Sequence, residues 1–199
     1  MSNLINKIAL QISSTKKEVN SNLQKYINEI IVIKYGGSAM LDKKLSLNFF
    51  QNIKALVELG IKPIIVHGGG PQINETLDSM NITHKFLKGM RITDKKTFKV
   101  VEMVLSGNIN KNISLNLSGN GIPAIGLSGY DSGMLMANKL VLKENKSSID
   151  IGYVGKPYKL NKSFLLQLLD LKLVPIPERK TAVLIFFIIN LWSLLFYFF

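Results

Sequence analysis

Cysteine is absent from the 199 residues, which excludes a disulfide framework, a thiolate zinc site and a thiol nucleophile. Histidine occurs only as His67 and His84, too few for a His-rich metal centre, and the composition fits a reducing compartment. Acidic residues are also scarce, 13 against 25 lysines and arginines, for a formal charge of +12. Such a surplus points first to nucleic acid, where clustered cations displace counterions from phosphates. The lysines, however, are scattered as singles and as pairs such as Lys16 and Lys17, Lys43 and Lys44, or Lys95 and Lys96. With no Arg-rich helix and no aromatic-basic signature, no nucleic-acid partner is expected. Arginine is reduced to Arg91 and Arg179 while Lys, Asn, Ile and Phe abound, the usage of an AT-rich gene. Arg91 therefore stands out, because a planar guanidinium grips a carboxylate in a way that an ammonium does not.

What is present is an alternation of short apolar runs with helical periodicity. Residues 1–28 read as a polar amphipathic helical arm, with Ile8, Ile12, Val19, Leu23, Tyr26 and Ile27 at helical spacings around a Ser-Ser-Thr break. "EIIVIKYGG" is a β-branched strand ending in two glycines, followed by the helical "KLSLNFFQNIKALVELG". "KPIIVHGGGPQIN" repeats the unit, with Pro71 in the first helical turn, where a missing N–H costs nothing, and a helix running to about Met80. Strand, glycine turn and helix thus occur twice in succession, which implies a parallel sheet flanked by helices. "ITHKFLKGMRITD" reads as a hairpin turning at Lys88-Gly89; Thr93 or Asp94 then caps a long helix with Phe98, Val101, Leu105 and Ile109 on one face. "IPAIGLSGYDSG" is another strand and loop, "MLMANKLVLKE" and "SIDIGYVGKP" an antiparallel pair, "NKSFLLQLLDLK" a helix, and "LVPIP" the start of a further strand.

Neither glycine turn is a P-loop or a dinucleotide fingerprint. What both offer is a helix N-terminus with bare amides and the positive end of a dipole, a place for anions. The bland alternative for either turn alone is tight strand-to-helix packing. Lys34, two residues before Gly36 in an apolar strand, is costly to bury without an anion nearby, unless it snorkels to water. His67 abuts the glycines, but a lone strand-end histidine without a partnered nucleophile reads as structural, and His84 as surface. Arg91 on the hairpin is open between a carboxylate grip and a surface role.

"IIVIKYGGSAM", "PIIVHGGGPQIN", "KGMRITD", "VEMVLSGNINKNI" and "DIGYVGKP", in this order, resemble the N-acetylglutamate kinases of the amino acid kinase family. The likeness runs from about Leu23 to Pro177. It implies an α/β three-layer sandwich around a largely parallel sheet, of which this chain carries the N-terminal half together with an N-terminal helix. It also implies ATP, with Mg²⁺ carried on the nucleotide and no protein metal ligand, and N-acetyl-L-glutamate as acceptor. By the same resemblance Lys34 stabilises the transferring phosphoryl group and Gly36 and Gly37 lie beside the ATP phosphates. Gly69 and Gly70 bind the acceptor, and Arg91 holds its backbone carboxylate. Homo-oligomers are expected from the family, a dimer and a hexamer linked through the N-terminal arm.

The domain reading is an arm at 1–28, an acceptor-binding lobe at 29–177 and a non-family tail at 178–199. After Pro177 the family's Asn-x-Asn-Ala-Asp segment and nucleotide lobe are replaced by "ERKTAVLIFFIINLWSLLFYFF". A frameshift in an AT-rich gene is the simplest account, with a membrane anchor flanked by Arg179 and Lys180 as the alternative. On either account the chain alone is expected to be inactive as a kinase. A non-catalytic fragment with an acceptor-binding or oligomerisation role is the competing functional reading. The expected location is the plastid stroma or a bacterial cytoplasm.

Overall fold

The computed structural model describes residues 15–144 and 147–178. Residues 179–199 of the tail and 1–14 of the arm lie outside the described residues, and with them the frameshift and anchor readings. Among the described residues no helix is long and apolar enough to cross a membrane. The remainder of the arm forms α1 (Lys16–Gln24), which begins where the Ser-Ser-Thr break was seen. Thr15 and Glu18 form a reciprocal capping box there, satisfying two amides that a helix start leaves without partners.

The two β-branched runs become β1 (Ile30–Tyr35) and β2 (Lys62–His67), paired in parallel with Ile30 opposite Lys62 and Tyr35 opposite His67. Between them come α2 (Gly37–Leu41) and α3 (Lys43–Glu58), separated because the Asp42 carboxylate accepts from the amides of Lys44 and Leu45 and restarts the helix. The helix α4 (Gly70–Ser79) follows β2, with Pro71 in its first turn. The strands β3 (Phe86–Leu87) and β4 (Met90–Arg91) form the expected hairpin. Lys88 and Gly89 both take positive φ there, the turn whose twist matches an antiparallel pair.

Asp94, rather than Thr93, caps α5 (Lys95–Glu102), accepting from Thr97 N at 2.7 Å. The chain then passes through a π-helical segment, Met103–Ile109, into α6 (Asn110–Gly119). This shifts the face expected from simple periodicity. The buried positions are Val100, Val104, Leu105, Ile109, Ile113 and Leu117; the wider π turn adds a residue, so the face steps by five from Val104 to Ile109. Phe98 and Val101 fall to its margin, and Phe98 stacks instead on Tyr153, ring centroids 5.1 Å apart.

The strand β5 (Ala124–Leu127) pairs in parallel with β8 (Val174–Pro177), and β8 lies beside β2 through the parallel bridge of His67 to Glu178. The order β1-β2-β8-β5 is the parallel sheet expected. One face, with Ile31, Ile33, Tyr35 and Ile65, packs on Phe49, Phe50 and Ile53 of α3 and on Ile113 and Leu117 of α6. The other, with Val32, Ile64 and Val66, packs on Leu165, Leu168 and Leu169 of α7 (Lys162–Asp170). Helix, sheet and helix layers result, because alternate residues of a strand bury on opposite sides.

The long antiparallel pair β6 (Leu135–Glu144) and β7 (Ser147–Leu160) stands off this sheet. Midway along β7 it is tied to the start of α5, where Thr93 N donates to Ile151 O and Tyr153 N to Thr93 O, at 2.9 and 2.7 Å, and at its far end Leu135 and Leu160 join the core beside α7. Gly152 between them has φ +80, and any Cβ there would run into the Thr93 backbone. Gly89 has φ +75 but open space around it. In urea denaturation Gly89→Ala should therefore cost about 1 kcal/mol, the price of a left-handed residue. Gly152→Ala should cost clearly more, about 2 kcal/mol or above, since the backbone contact must also move.

Candidate functional site at the ends of β1 and β2

The register of β1 on β2 sets Tyr35 level with His67, so the glycine turns that follow emerge side by side. A Cβ on Gly37 would sit 3.0 Å from Pro71 Cδ, which shows how closely the two turns pack. The glycines then divide by what surrounds them. A Cβ on Gly69 would strike Ile109 and Leu105, so its bareness serves the packing of the π-helical segment on β2. A Cβ on Gly36 or Gly70 would meet no atom within 4 Å apart from its own chain neighbours and helix. At those two positions the bare backbone faces open space.

The helix starts tell the same story. Thr15, Asp42, Asp94 and Asn161 cap α1, α3, α5 and α7 with side-chain oxygens. The two helices that spring from the glycine turns, α2 behind Gly36 and α4 behind Gly69, have no side-chain cap. The first-turn amides of Gly70 and Gln72 thus have no acceptor within the helix, and the dipole's positive end points out of the sheet edge. Gln72 Oε1 is itself buried without a partner, 3.7 and 3.8 Å from where a Cβ on Gly37 or Gly69 would stand. Lys34 is half-buried in β1, across from Val66 and two residues before Gly36.

Arg91 is brought over α4 by the hairpin. Its Nη2 donates to Asn74 Oδ1 at 2.5 Å, and its Cζ lies 4.6 Å from the centre of the Phe86 ring. Nη1 is buried without a partner. Burial pushes the guanidinium below its ordinary value, against the opposing field of Asp78. Such a group is neither a surface arginine nor a satisfied one.

His67 is fully buried, and its role is structural, as the sequence suggested. Its Nδ1–H donates to Gly68 O at 3.2 Å and its Nε2 accepts from Asn110 Nδ2 at 3.0 Å. That tautomer follows because the same Asn110 amide also faces the carbonyls of Ile176 and Leu127, at 2.7 and 3.3 Å, and must be the donor. His84 is not the surface residue expected: it is half-buried, with Nδ1 3.6 Å from Asp78 and its ring edge against Phe86. Asn74, Gln72 and Asn110 were not singled out by sequence. The available signal was an asparagine, Asn110, interrupting the apolar face between Ile109 and Ile113.

An α/β layer fold that turns uncapped, glycine-initiated helix starts toward one edge of a parallel sheet is built to receive anionic groups. Residues 29–178 match the model of the amino acid kinase family, and the chain belongs to that family. Acetylglutamate kinase of Clostridium acetobutylicum is 45% identical over 156 residues, covering 78% of this chain and 53% of that protein. That of Geobacter sulfurreducens is 42% identical over 169 residues, covering 82% and 58%. The chain therefore spans about half the length of the curated relatives it matches. Among solved structures, a Streptococcus mutans protein aligns with TM-score 0.64 at 28% identity, covering 76% of this chain and 59% of that one. An N-acetylglutamate synthase of Neisseria gonorrhoeae aligns with TM-score 0.67 at 19% identity, covering 81% and 36%, a likeness of fold.

The buried imidazole gives a pH signature. Burial holds the His67 pKa below its usual value, against the smaller effect of the Gly68 carbonyl, so the folded ring stays neutral where the unfolded one takes up a proton. Above about pH 6.5 neither state is protonated and nothing is lost; below it the unfolded state is favoured, and stability falls as pH drops. His67→Gln should remove up to about 1.4 kcal/mol per pH unit from the slope of unfolding free energy between pH 6.5 and 5, read from urea midpoints.

Proposed function

We propose that the described residues form the acceptor side of a site that transfers a phosphoryl group from ATP to the side-chain carboxylate of N-acetyl-L-glutamate, a step of arginine biosynthesis. The observation that carries this reading is the pair of uncapped helix starts, level with each other at one sheet edge. Similarity to acetylglutamate kinases over most of this chain supports the choice of acceptor.

The chemistry asks little of a base. A glutamate-type side chain is ionised at neutral pH, so the nucleophile needs no deprotonation. A histidine locked between Gly68 and Asn110 is then no loss. The obstacle is electrostatic, because a carboxylate must approach a polyphosphate. Lys34 and the amides that follow Gly36 and Gly69 offset that repulsion, and the gain is largest where water is excluded. ATP brings Mg²⁺, which neutralises phosphate charge. Arg91 takes the acceptor's other carboxylate, which keeps the reacting one aimed at the turn; such orientation is a large part of phosphoryl-transfer catalysis.

The division among the glycines supplies the test. Gly70→Val places its side chain in open space, so the thermal midpoint should hold, while calorimetric affinity for N-acetyl-L-glutamate should drop at least about tenfold because the ligand's place is taken. Gly69→Ala should do the reverse in kind, lowering stability by about 1–3 kcal/mol through overpacking against Ile109 and Leu105. Unchanged binding by the Gly70→Val chain would sink the proposal.

A further inference from the structure

Resting on the reading of Arg91 as the carboxylate anchor, we infer that Asn74 is the positioning residue that aims it, and that an uncharged amide at this place preserves the anchor's charge for the ligand. Asn74 lies one helical turn after Gly70, on the helix whose start forms the acceptor turn. Its Oδ1 takes one arm of the guanidinium, Nη2, and the facing strand residue Phe86 covers the flat side. Nη1 remains, shut away from protein acceptors and from water.

A guanidinium has donors in a fixed planar fork, so holding one edge and one face determines where the other edge points. Leaving a buried donor unmatched is unfavourable unless something that binds later completes it. A carboxylate at position 74 would hold the same edge more strongly, but it would also neutralise the positive charge. The amide fixes the orientation and leaves the charge in place. Among the described residues, the acidic side chain whose field bears on Arg91 is Asp78, and the hydrogen bond that Arg91 donates goes to Asn74 instead. The pairing therefore separates two functions that an ion pair would merge, orientation and neutralisation.

A simple tie between hairpin and helix would predict something different, because Asn74→Asp should strengthen a tie. The experiment titrates the full chain calorimetrically with N-acetyl-L-glutamate and with 4-acetamidobutanoate, which has the same skeleton without the backbone carboxylate. Asn74→Asp, isosteric with the native residue, should weaken N-acetyl-L-glutamate at least about tenfold and leave 4-acetamidobutanoate unchanged, as expected when a charge-assisted contact is lost. Asn74→Ala should follow it. If Arg91→Ala fails to weaken N-acetyl-L-glutamate, or the unaltered chain does not bind it, the reading of the site falls and this inference with it. If Arg91→Ala weakens binding and Asn74→Asp does not, the inference alone is overturned.

A ligand-free readout keeps the positioning role open to test on its own. Arg91 and Arg179 are the two arginines of the chain, so Arg179→Lys leaves Arg91 as the sole source of guanidinium ¹⁵N signals. The Nη resonances should be separate in that background and collapse to an average once Asn74→Ala is added. Identical averaging in both would overturn the positioning role.

Discussion

A single carboxamide holds the C-terminal ends of three strands together. Asn110, 1% exposed, directs its Nδ2 hydrogens at the ring of His67 on β2, the carbonyl of Leu127 on β5 and that of Ile176 on β8. Two hydrogens serve three acceptors, and the two nearer ones, His67 and Ile176, belong to neighbouring strands. The fit is close enough that a Cβ on Gly126 would run into Asn110 Oδ1, so β5 must be bare at that point. Buried polar groups are costly unless matched; the Nδ2 hydrogens of Asn110 are matched, whereas its Oδ1 is buried without a partner. Here the arrangement sets how far each strand end projects, and the glycine turn leaves directly from one of those ends.

The π-helical segment belongs to the same constraint. Helical periodicity carried straight on from Val104 would place position 108 inward; the wider turn brings Ile109 and Asn110 inward instead. Ile109 and Leu105 then press on Gly69, where no side chain could fit. A departure from ideal helix geometry, a buried amide and a mandatory glycine are thus one packing solution seen from three residues. Its result is a rigid floor under the turn, while Gly36 and Gly70 above it stay open.

Much of this was legible beforehand, for reasons that are local. Two strand–glycine–helix repeats, the Lys88-Gly89 hairpin and the cap at the start of α5 are each written in adjacent residues, and the parallel sheet follows from their order. Lys34, Arg91 and the glycine turns could be singled out because bare backbone and a rare arginine are visible in one dimension. The π turn, Asn110 and Asn74 were not, because each depends on residues remote in sequence. His67 and Asn110 are 43 positions apart, and Asn74 matters only because a hairpin folds Arg91 back onto it. Leu105 and Ile109 lie on the buried face as expected, while Phe98 and Val101 fall to its margin for the same reason: periodicity assumes a uniform helix, and tertiary packing made it non-uniform. His84 turned inward for a comparable reason, since Phe86 and Asp78 converge on it only once the hairpin has formed.

The run "HGGGP" therefore carries two instructions that a motif cannot separate. Gly69 is bare because the fold has filled the space beside it, and a larger residue would disturb the floor. Gly70 is bare although the fold leaves room, and no internal contact accounts for it. Steric necessity explains the first completely and the second not at all. An uncapped helix start, beside a second in the same condition and on the helix whose Asn74 holds an arginine with a buried unmatched nitrogen, is what the proposed anionic partner would account for. The physical case for a ligand thus rests less on the glycines that must be glycine than on those the protein itself does not require.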